Sequence, residues 1–381
     1  MVYDKIDNLE TFSLRREPFE LFKKYYKHWV RLFFKSLIVL VIFIMGSCSS
    51  ELLDNDMIKV VKVLETPKAC DTIWDNGLYC AFTSIIEYHG CYYIAFREGL
   101  THAHDGDMGS IRILLSKDGY TWEESNIIES KGVDLRDPYL SITPDDRLML
   151  LAGGRQLNDG RFITPSYVSV MDKQGKFSEP HRISIKDNAK TLEYWLWRIT
   201  WYKGVGYGIC YGEGKAFLVK TKDGYNYTTV CEIEGLYEPT EGVIKFDSIG
   251  RMIVLARTGR NAHFGYAQSP YKELEWQDSG YGLGGPDFLL IDDNTYICAG
   301  RRAIGKNFYT SIFVVKNYKM EEKVCFSSYG DCGYPSLMTK EGQLWMSFYS
   351  RTKEDKYESS IYLYRCDISD VTNGSFQWEG H

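Results

Sequence analysis

What this sequence lacks removes several classes of function before any fold is considered. From residue 48 onward Lys and Arg form no cluster, and the formal net charge of the whole chain is −6, so the electrostatic footprint of a nucleic-acid binder is missing. The ten cysteines show no CxxC and no Cys/His spacing that would hold zinc, so no metal is expected in the chemistry. No glycine-rich nucleotide loop and no Ser/His/Asp arrangement stands out, which leaves no ground for expecting a cofactor. No amphipathic helical pattern runs longer than about two turns, which points away from helical and α/β architectures. The apolar run Leu37–Ile44 is short of the roughly 20 residues that a membrane-spanning helix needs.

That short run nevertheless sits in a telling place. It follows a polar stretch carrying Lys5, Arg15, Arg16, Lys23, Lys24, Lys27, Arg31 and Lys35, and it leads into Met45-Gly46-Ser47-Cys48. Small residues just before a cysteine, after a basic then apolar segment, resemble the signal of a bacterial lipoprotein. The resemblance implies removal of residues 1–47, lipidation of Cys48, an acidic tether over 48–57, and a chain exported and anchored to the outer membrane of a Gram-negative-type cell, periplasmic or surface-exposed. The other nine cysteines lie mostly within apolar runs, as in Tyr79-Cys80-Ala81, and read as buried free thiols. Cys325 and Cys332 are the pair whose spacing invites a test for a bridge.

From residue 58 onward the pattern is all-β. Short apolar runs recur between Gly, Asp and Asn turn signals. A unit opening at Thr83 reappears at Pro138, Trp197, Gly242, Asp287 and Pro335, at intervals of roughly 50 residues, the length of a four-stranded propeller blade. Six blades result over 58–381. Ile58–Leu64 is a spare strand, expected to pair with the last blade and close the ring. Two hairpins, Ser116-Lys-Asp118-Gly119-Tyr-Thr-Trp122 and Thr221-Lys-Asp223-Gly224-Tyr-Asn-Tyr227, follow the third strand of their blades, and Gln268–Trp276 holds the equivalent place. Their Ser/Thr and Asp side chains suit hydrogen bonds to the turn backbone, with Gly at positive φ.

The hairpins resemble the Asp-box, or BNR repeat, of sialidases, and the resemblance extends over nearly the whole of 58–381. Ala95-Phe-Arg97-Glu-Gly99, followed by an Asp-containing loop and the first hairpin, is similar to the first blade of these enzymes. Glu241, with Arg257 sixteen positions on, matches a segment in which a catalytic glutamate precedes a substrate-binding arginine. Gly333-Tyr334-Pro335-Ser336 resembles the segment bearing the family's nucleophilic tyrosine. The resemblance implies a sialidase-like six-bladed β-propeller in which Tyr334 attacks, Glu241 takes its proton, and Asp107, with Asp105 as alternative, protonates the leaving group. A phenol suits a sugar with a carboxylate on its anomeric carbon, because a carboxylate nucleophile would meet like-charge repulsion.

Substrate contacts are expected from Arg97, Arg136, Arg198, Arg257 and Arg301, with Arg302 as the alternative to Arg301, since adjacent residues of a strand face opposite ways. Guanidinium forks match carboxylates in a bidentate manner. Trp197, beside Arg198, suits a sugar platform. Glu238 is the rival of Glu241, and His102 a candidate for proton transfer. One departure from the family stands out: its Tyr-Arg-Ile-Pro segment is replaced by Cys80-Ala81-Phe82-Thr83, with Ala81 where the first arginine of the carboxylate clamp would fall.

Three functions follow from this reading. The first is an exo-acting glycosidase that removes a terminal, acidic sugar from glycans at the cell envelope. The second is a non-catalytic glycan-binding lipoprotein, and the third a polysaccharide lyase on the same scaffold. A carbohydrate is the expected partner in all three.

Overall fold

The computed structural model describes residues 61–373 apart from 104, 105, 352, 354 and 355. The signal segment, Cys48, the tether and Asp105 therefore lie outside the described residues. Within them, helix is confined to Thr66–Ala69 and Ile368–Asn373, and the rest is strand and turn. Six sheets follow one another along the chain, as the repeat pattern predicts. Their innermost strands are Tyr79–Tyr88, Asp134–Ile142, Trp195–Tyr202, Gly242–Phe246, Gly284–Asp292 and Cys332–Lys340. Each contains or begins at one of the repeat openings, and the architecture is a six-bladed β-propeller.

Period-two alternation explains how the blades pack. In the fourth blade Met252, Val254 and Ala256 enter the apolar seam shared with the third, while Ile253 and Leu255 enter the seam shared with the fifth. Successive side chains of a strand point to opposite faces, so a nearly unbroken apolar run serves two neighbours at once. Six such seams hold the core, one between each adjacent pair of blades, and the seam between first and last includes Ile94, Phe96, Trp345 and Leu363.

Ring closure differs from the sequence expectation. Asp71–Trp74 completes the sixth blade, antiparallel to Ser360–Asp367. Lys62–Leu64 instead adds a parallel strand to the outside of the fifth blade, against Lys319–Ser327. Both segments are short and part-apolar, and local pattern does not name a strand's partner. The hairpins behave as their residues suggest. Ser116 Oγ accepts from Gly119 N (2.8 Å), and Asp118 Oδ1 accepts from Tyr120 N (2.8 Å) and Thr121 N (2.7 Å). Thr221 and Asp223 repeat these bonds to Gly224, Tyr225 and Asn226. Gly119 is required twice over, by its φ of 79° and because a Cβ there would sit 2.2 Å from Trp345 Cη2. All nine described cysteines are free thiols, Cys325 and Cys332 among them.

Candidate active site

A repeated backbone irregularity builds the site. In five blades the innermost strand loses register near its start: between Ala81 and Ser84, Arg136 and Tyr139, Leu196 and Ile199, Gly284 and Asp287, and Gly333 and Ser336. Such bulges leave residues off the ladder and re-aim their side chains. The first residue in each gap is Phe82, Asp137, Trp197, Gly285 or Tyr334. Four of the five take positive φ (60°, 51°, 54° and 47° for Phe82, Asp137, Gly285 and Tyr334). For a non-glycine residue this costs of order 1–3 kcal/mol, and such strain concentrates at functional sites. Prolines 138, 286 and 335 follow three of them, where the missing N–H costs the ladder nothing. In the fourth blade the ladder starts at Gly242, and Glu241 heads it, its carbonyl accepting from Arg257 N at 2.9 Å.

Tyr334 and Glu241 meet here. Tyr334 Oη donates to Glu241 Oε1 at 2.7 Å, Arg257 Nη1 donates to the same oxygen at 2.8 Å and reaches Tyr334 Oη at 3.2 Å, and Gly285 N donates to Glu241 Oε2 at 2.6 Å. Burial pushes the Tyr334 hydroxyl well above its ordinary range, and the Glu241 charge adds to this. The resting phenol is therefore neutral with its acceptor in place. The Arg301 guanidinium lies 5.0 Å above the Tyr334 ring. A Cβ built on Gly284 would stand 3.3 Å from Arg301 Nε and 3.7 Å from Arg257 Nη1, so the absence of a side chain at 284 lets the two guanidinium groups approach one another. The Arg257 side chain is 37% exposed, the most open of the arginines around the phenol.

A second network adjoins the first. Arg301 Nη1 donates to Asp331 Oδ1 at 2.6 Å, while Asp331 Oδ2 is bonded by Tyr79 Oη and by His102 Nδ1, the latter at 2.8 Å. Burial works against ionisation of Asp331, yet the His102 bond and the Arg301 charge hold it well below the ordinary carboxylate range. His102 Nε2 lies 3.5 Å from Arg136 Nη2, whose guanidinium carbon rests 4.9 Å from the Phe82 ring centre. Phe82 in turn meets Tyr334 edge-on at 5.0 Å. Asp137 completes the ring of groups: it is buried, one carboxylate oxygen stands 3.5 Å from Arg136 Nε, and Oδ1 has no hydrogen-bond partner among the described residues. Burial, helped by the Glu241 charge, pushes its carboxyl up to about 6 against the pull of Arg136.

Of the residues expected from sequence, Tyr334, Glu241, Arg257, Arg301 and His102 come together, with Arg136 beside them. Trp197 packs edge-on against Tyr334 at 5.7 Å and is almost fully buried, so it supports the phenol from the side rather than offering a platform. Arg198 ties blades together, with Nη1 3.2 Å from Asp287 and Nη2 donating to Pro335 O at 2.9 Å.

Arg97 and Asp107 are placed differently from expectation. Arg97 has no exposed surface, and its guanidinium is taken by Asp134 Oδ1 (2.7 Å), Thr101 O (2.8 Å) and Asp107 Oδ2 (3.4 Å). Asp107 accepts from Leu100 N at 3.0 Å and from Thr101 N at 2.7 Å. Although burial opposes it, those backbone N–H groups and the Arg97 charge hold its carboxyl below the ordinary range. An aspartate so occupied braces the backbone at Leu100 and Thr101 and is a poor proton donor. Glu238 is exposed, and its carboxylate lies beside Gly259. Arg302 points to the opposite strand face, paired with Glu322 and 5.1 Å from the Tyr281 ring.

Two groups were given no chemical role from the sequence. Asp331 carries no local motif. Asp137 does carry one, since Asp137-Pro138 occupies in the second blade the bulge position that Tyr334-Pro335 occupies in the sixth.

No protein-family profile matches the chain, and no curated relative is detectably similar in sequence. Solved structures give clear likenesses. A Dyadobacter fermentans protein of unknown function aligns with a TM-score of 0.68 at 17% identity, over 80% of this chain and 99% of that one. Trypanosoma rangeli sialidase in complex with sialic acid aligns at 0.60 and 12% identity, over 82% of this chain and 61% of that one. The α-L-arabinofuranosidase Arb93A from Fusarium graminearum aligns at 0.55 and 14% identity, over 82% and 98%. What the chain shares with all three is the sialidase-like propeller fold.

Proposed function

We propose that the protein is an exo-acting glycoside hydrolase that takes a terminal, acidic sugar from a glycan by attack of Tyr334 on the anomeric carbon. The observation that carries this reading is the 2.7 Å bond from Tyr334 Oη to Glu241, with Arg257 on both groups. A phenol is a weak nucleophile until an adjacent base takes its proton. Glu241 is that base, and the proton moves to Oε1 as the Tyr334 oxygen bonds to carbon. Arg257 then stabilises the charge that develops between them.

Arg257 and Arg301 flank Gly284 and form a two-armed clamp for a carboxylate. The buried Ala81 leaves the third arm out, which favours a uronic acid or ketosugar acid held by two guanidinium groups. That one structural neighbour binds sialic acid and another is an α-L-arabinofuranosidase supports a sugar at the propeller axis. The lipoprotein-like N-terminus sets this activity in an exported, lipid-anchored protein.

Assay of the purified protein against aryl glycosides and sialyl, ketosugar-acid and uronic-acid glycans tests the reading, with Tyr334→Phe as control. Turnover that disappears in the Phe variant supports it, and turnover that survives overturns the nucleophile. The absent arginine at Ala81 also favours a second reading, a glycan-capture protein. Saturable binding of an acidic glycan by wild type without any turnover would select it.

A further inference from the structure

Departure of an alcohol from a sugar needs a proton, and Asp107, the residue expected to supply it, is poorly suited to do so. Asp107 is held ionised by two backbone N–H groups and Arg97. The structure offers a different carboxyl. Asp137 occupies in the second blade the bulge position that Tyr334 occupies in the sixth, with the same left-handed backbone. The two blades flank the first, and the residue between them is Phe82, whose ring touches Tyr334 and carries Arg136, the neighbour of Asp137.

Asp137 is buried, and its Oδ1 lacks a partner among the described residues. An orphaned polar atom inside a folded protein calls for a function or a missing partner, and a glycosidic oxygen would be such a partner. The charged and titratable groups facing it are Arg136 on its own strand, His102 from the first blade, Arg198 from the third and Glu241 from the fourth, with Tyr334 and Tyr211 also within its electrostatic reach.

We propose that Asp137 is the general acid and base of the hydrolysis, a role that rests on the reading of Tyr334 as nucleophile. In the first step the bond from anomeric carbon to glycosidic oxygen breaks as the Tyr334 oxygen bonds to that carbon. The Tyr334 proton goes to Glu241, and the Asp137 proton goes to the departing oxygen. In the second step a water molecule attacks the anomeric carbon, Asp137 takes a proton from it, the bond to Tyr334 breaks, and Glu241 returns its proton to the phenol. Asp137 ends protonated, as it began. The elevated carboxyl pKa of about 6 fits an acid that still holds its proton in mildly acidic solution.

Asp137→Asn, measured on a series of glycosides of graded leaving-group acidity, tests the assignment. The expected result is a fall of about 100-fold or more on alkyl glycosides or the natural glycan, against less than about tenfold on a dinitrophenyl glycoside that needs no protonation. The basic limb of the kcat/KM pH profile should vanish, and azide should accelerate the variant by yielding a glycosyl azide. A loss equal across the series, or an unchanged basic limb, overturns the assignment. Asp107→Asn is the companion variant, expected to lower Tm and to affect all leaving groups alike; a loss confined to poor leaving groups there would move the acid to Asp107. If Tyr334→Phe retains turnover, the nucleophile and Asp137 fall together. If Tyr334→Phe is silent while Asp137→Asn behaves as wild type, Asp137 alone falls.

Discussion

Glu241 Oε1 accepts two hydrogen bonds at once, from Tyr334 Oη at 2.7 Å and from Arg257 Nη1 at 2.8 Å. The tyrosine stands 93 positions away in sequence. The glutamate thus serves two partners on different blades, and each single substitution should report on a different part of the reaction. Glu241→Gln keeps the shape but removes the proton acceptor, so kcat should fall by about 10²–10⁴ with little change in KM. A Gln variant with kcat within about tenfold of wild type would deny the glutamate its role as base.

The elevated Asp137 carboxyl has a consequence for stability whose sign can be worked out. Its pKa of about 6 in the fold exceeds the ordinary 3.8, so the native state holds this proton more tightly than the unfolded chain. The stability it contributes is fully present below pH 3.8 and is lost as pH rises through 6. Asp137→Asn removes the buried charge altogether. The variant should therefore be more stable than wild type at pH 8, by up to about 3 kcal/mol, with the advantage gone near pH 3.5. Thermal unfolding at the two pH values checks this, and a variant less stable at pH 8 would contradict it.

Gly285 holds the phenol in place by having no side chain. A Cβ there would stand 2.3 Å from Tyr334 Cγ, and the residue has φ +54° while its N–H binds Glu241. Gly285→Ala must displace the ring from the carboxylate, and misplacement by about 1 Å costs on the order of 100-fold in rate. A steady-state assay of the folded variant, with circular dichroism as the control for folding, should show that loss. Activity near wild type would mean that the phenol position is not critical.

Arg97 predicts a structural effect. Its guanidinium is wholly buried against Asp134 and Asp107, and removing one partner of a buried ion pair costs about 3–5 kcal/mol because the other charges remain. Arg97→Met should lower stability by that amount in urea unfolding. A change below about 1 kcal/mol would show the pair to be dispensable.

The legible and illegible parts of this structure divide along a physical line. Blade number and the six innermost strands were visible because turn residues and period-two apolar runs act within a few residues. Tyr334, Glu241 and Arg257 were singled out because the short segments around them resemble sialidase segments. What sequence reasoning misplaced depended on distant partners. Arg97 and Asp107 read as site residues until Asp134, 37 residues from Arg97, is seen to take that arginine's guanidinium. The ring-closing strand is Asp71–Trp74 rather than Ile58–Leu64 because its partner, Ser360–Asp367, lies at the other end of the chain. Asp137 could have been found, since Asp-Pro aligns with the Tyr-Pro of the sixth blade, but its burial and orphaned oxygen are properties of the assembled ring.

Formation of a bond between sugar and Tyr334 is the event on which the account turns. The most direct measurement is intact-mass and peptide mapping of the protein after incubation with a fluorinated glycosyl fluoride of whichever sugar it releases, which slows breakdown of a covalent intermediate. The account predicts a single added glycosyl mass, mapped to the peptide containing Tyr334 and absent from Tyr334→Phe. A label on a carboxylate residue, or a catalytically competent protein that never accumulates one, would contradict it.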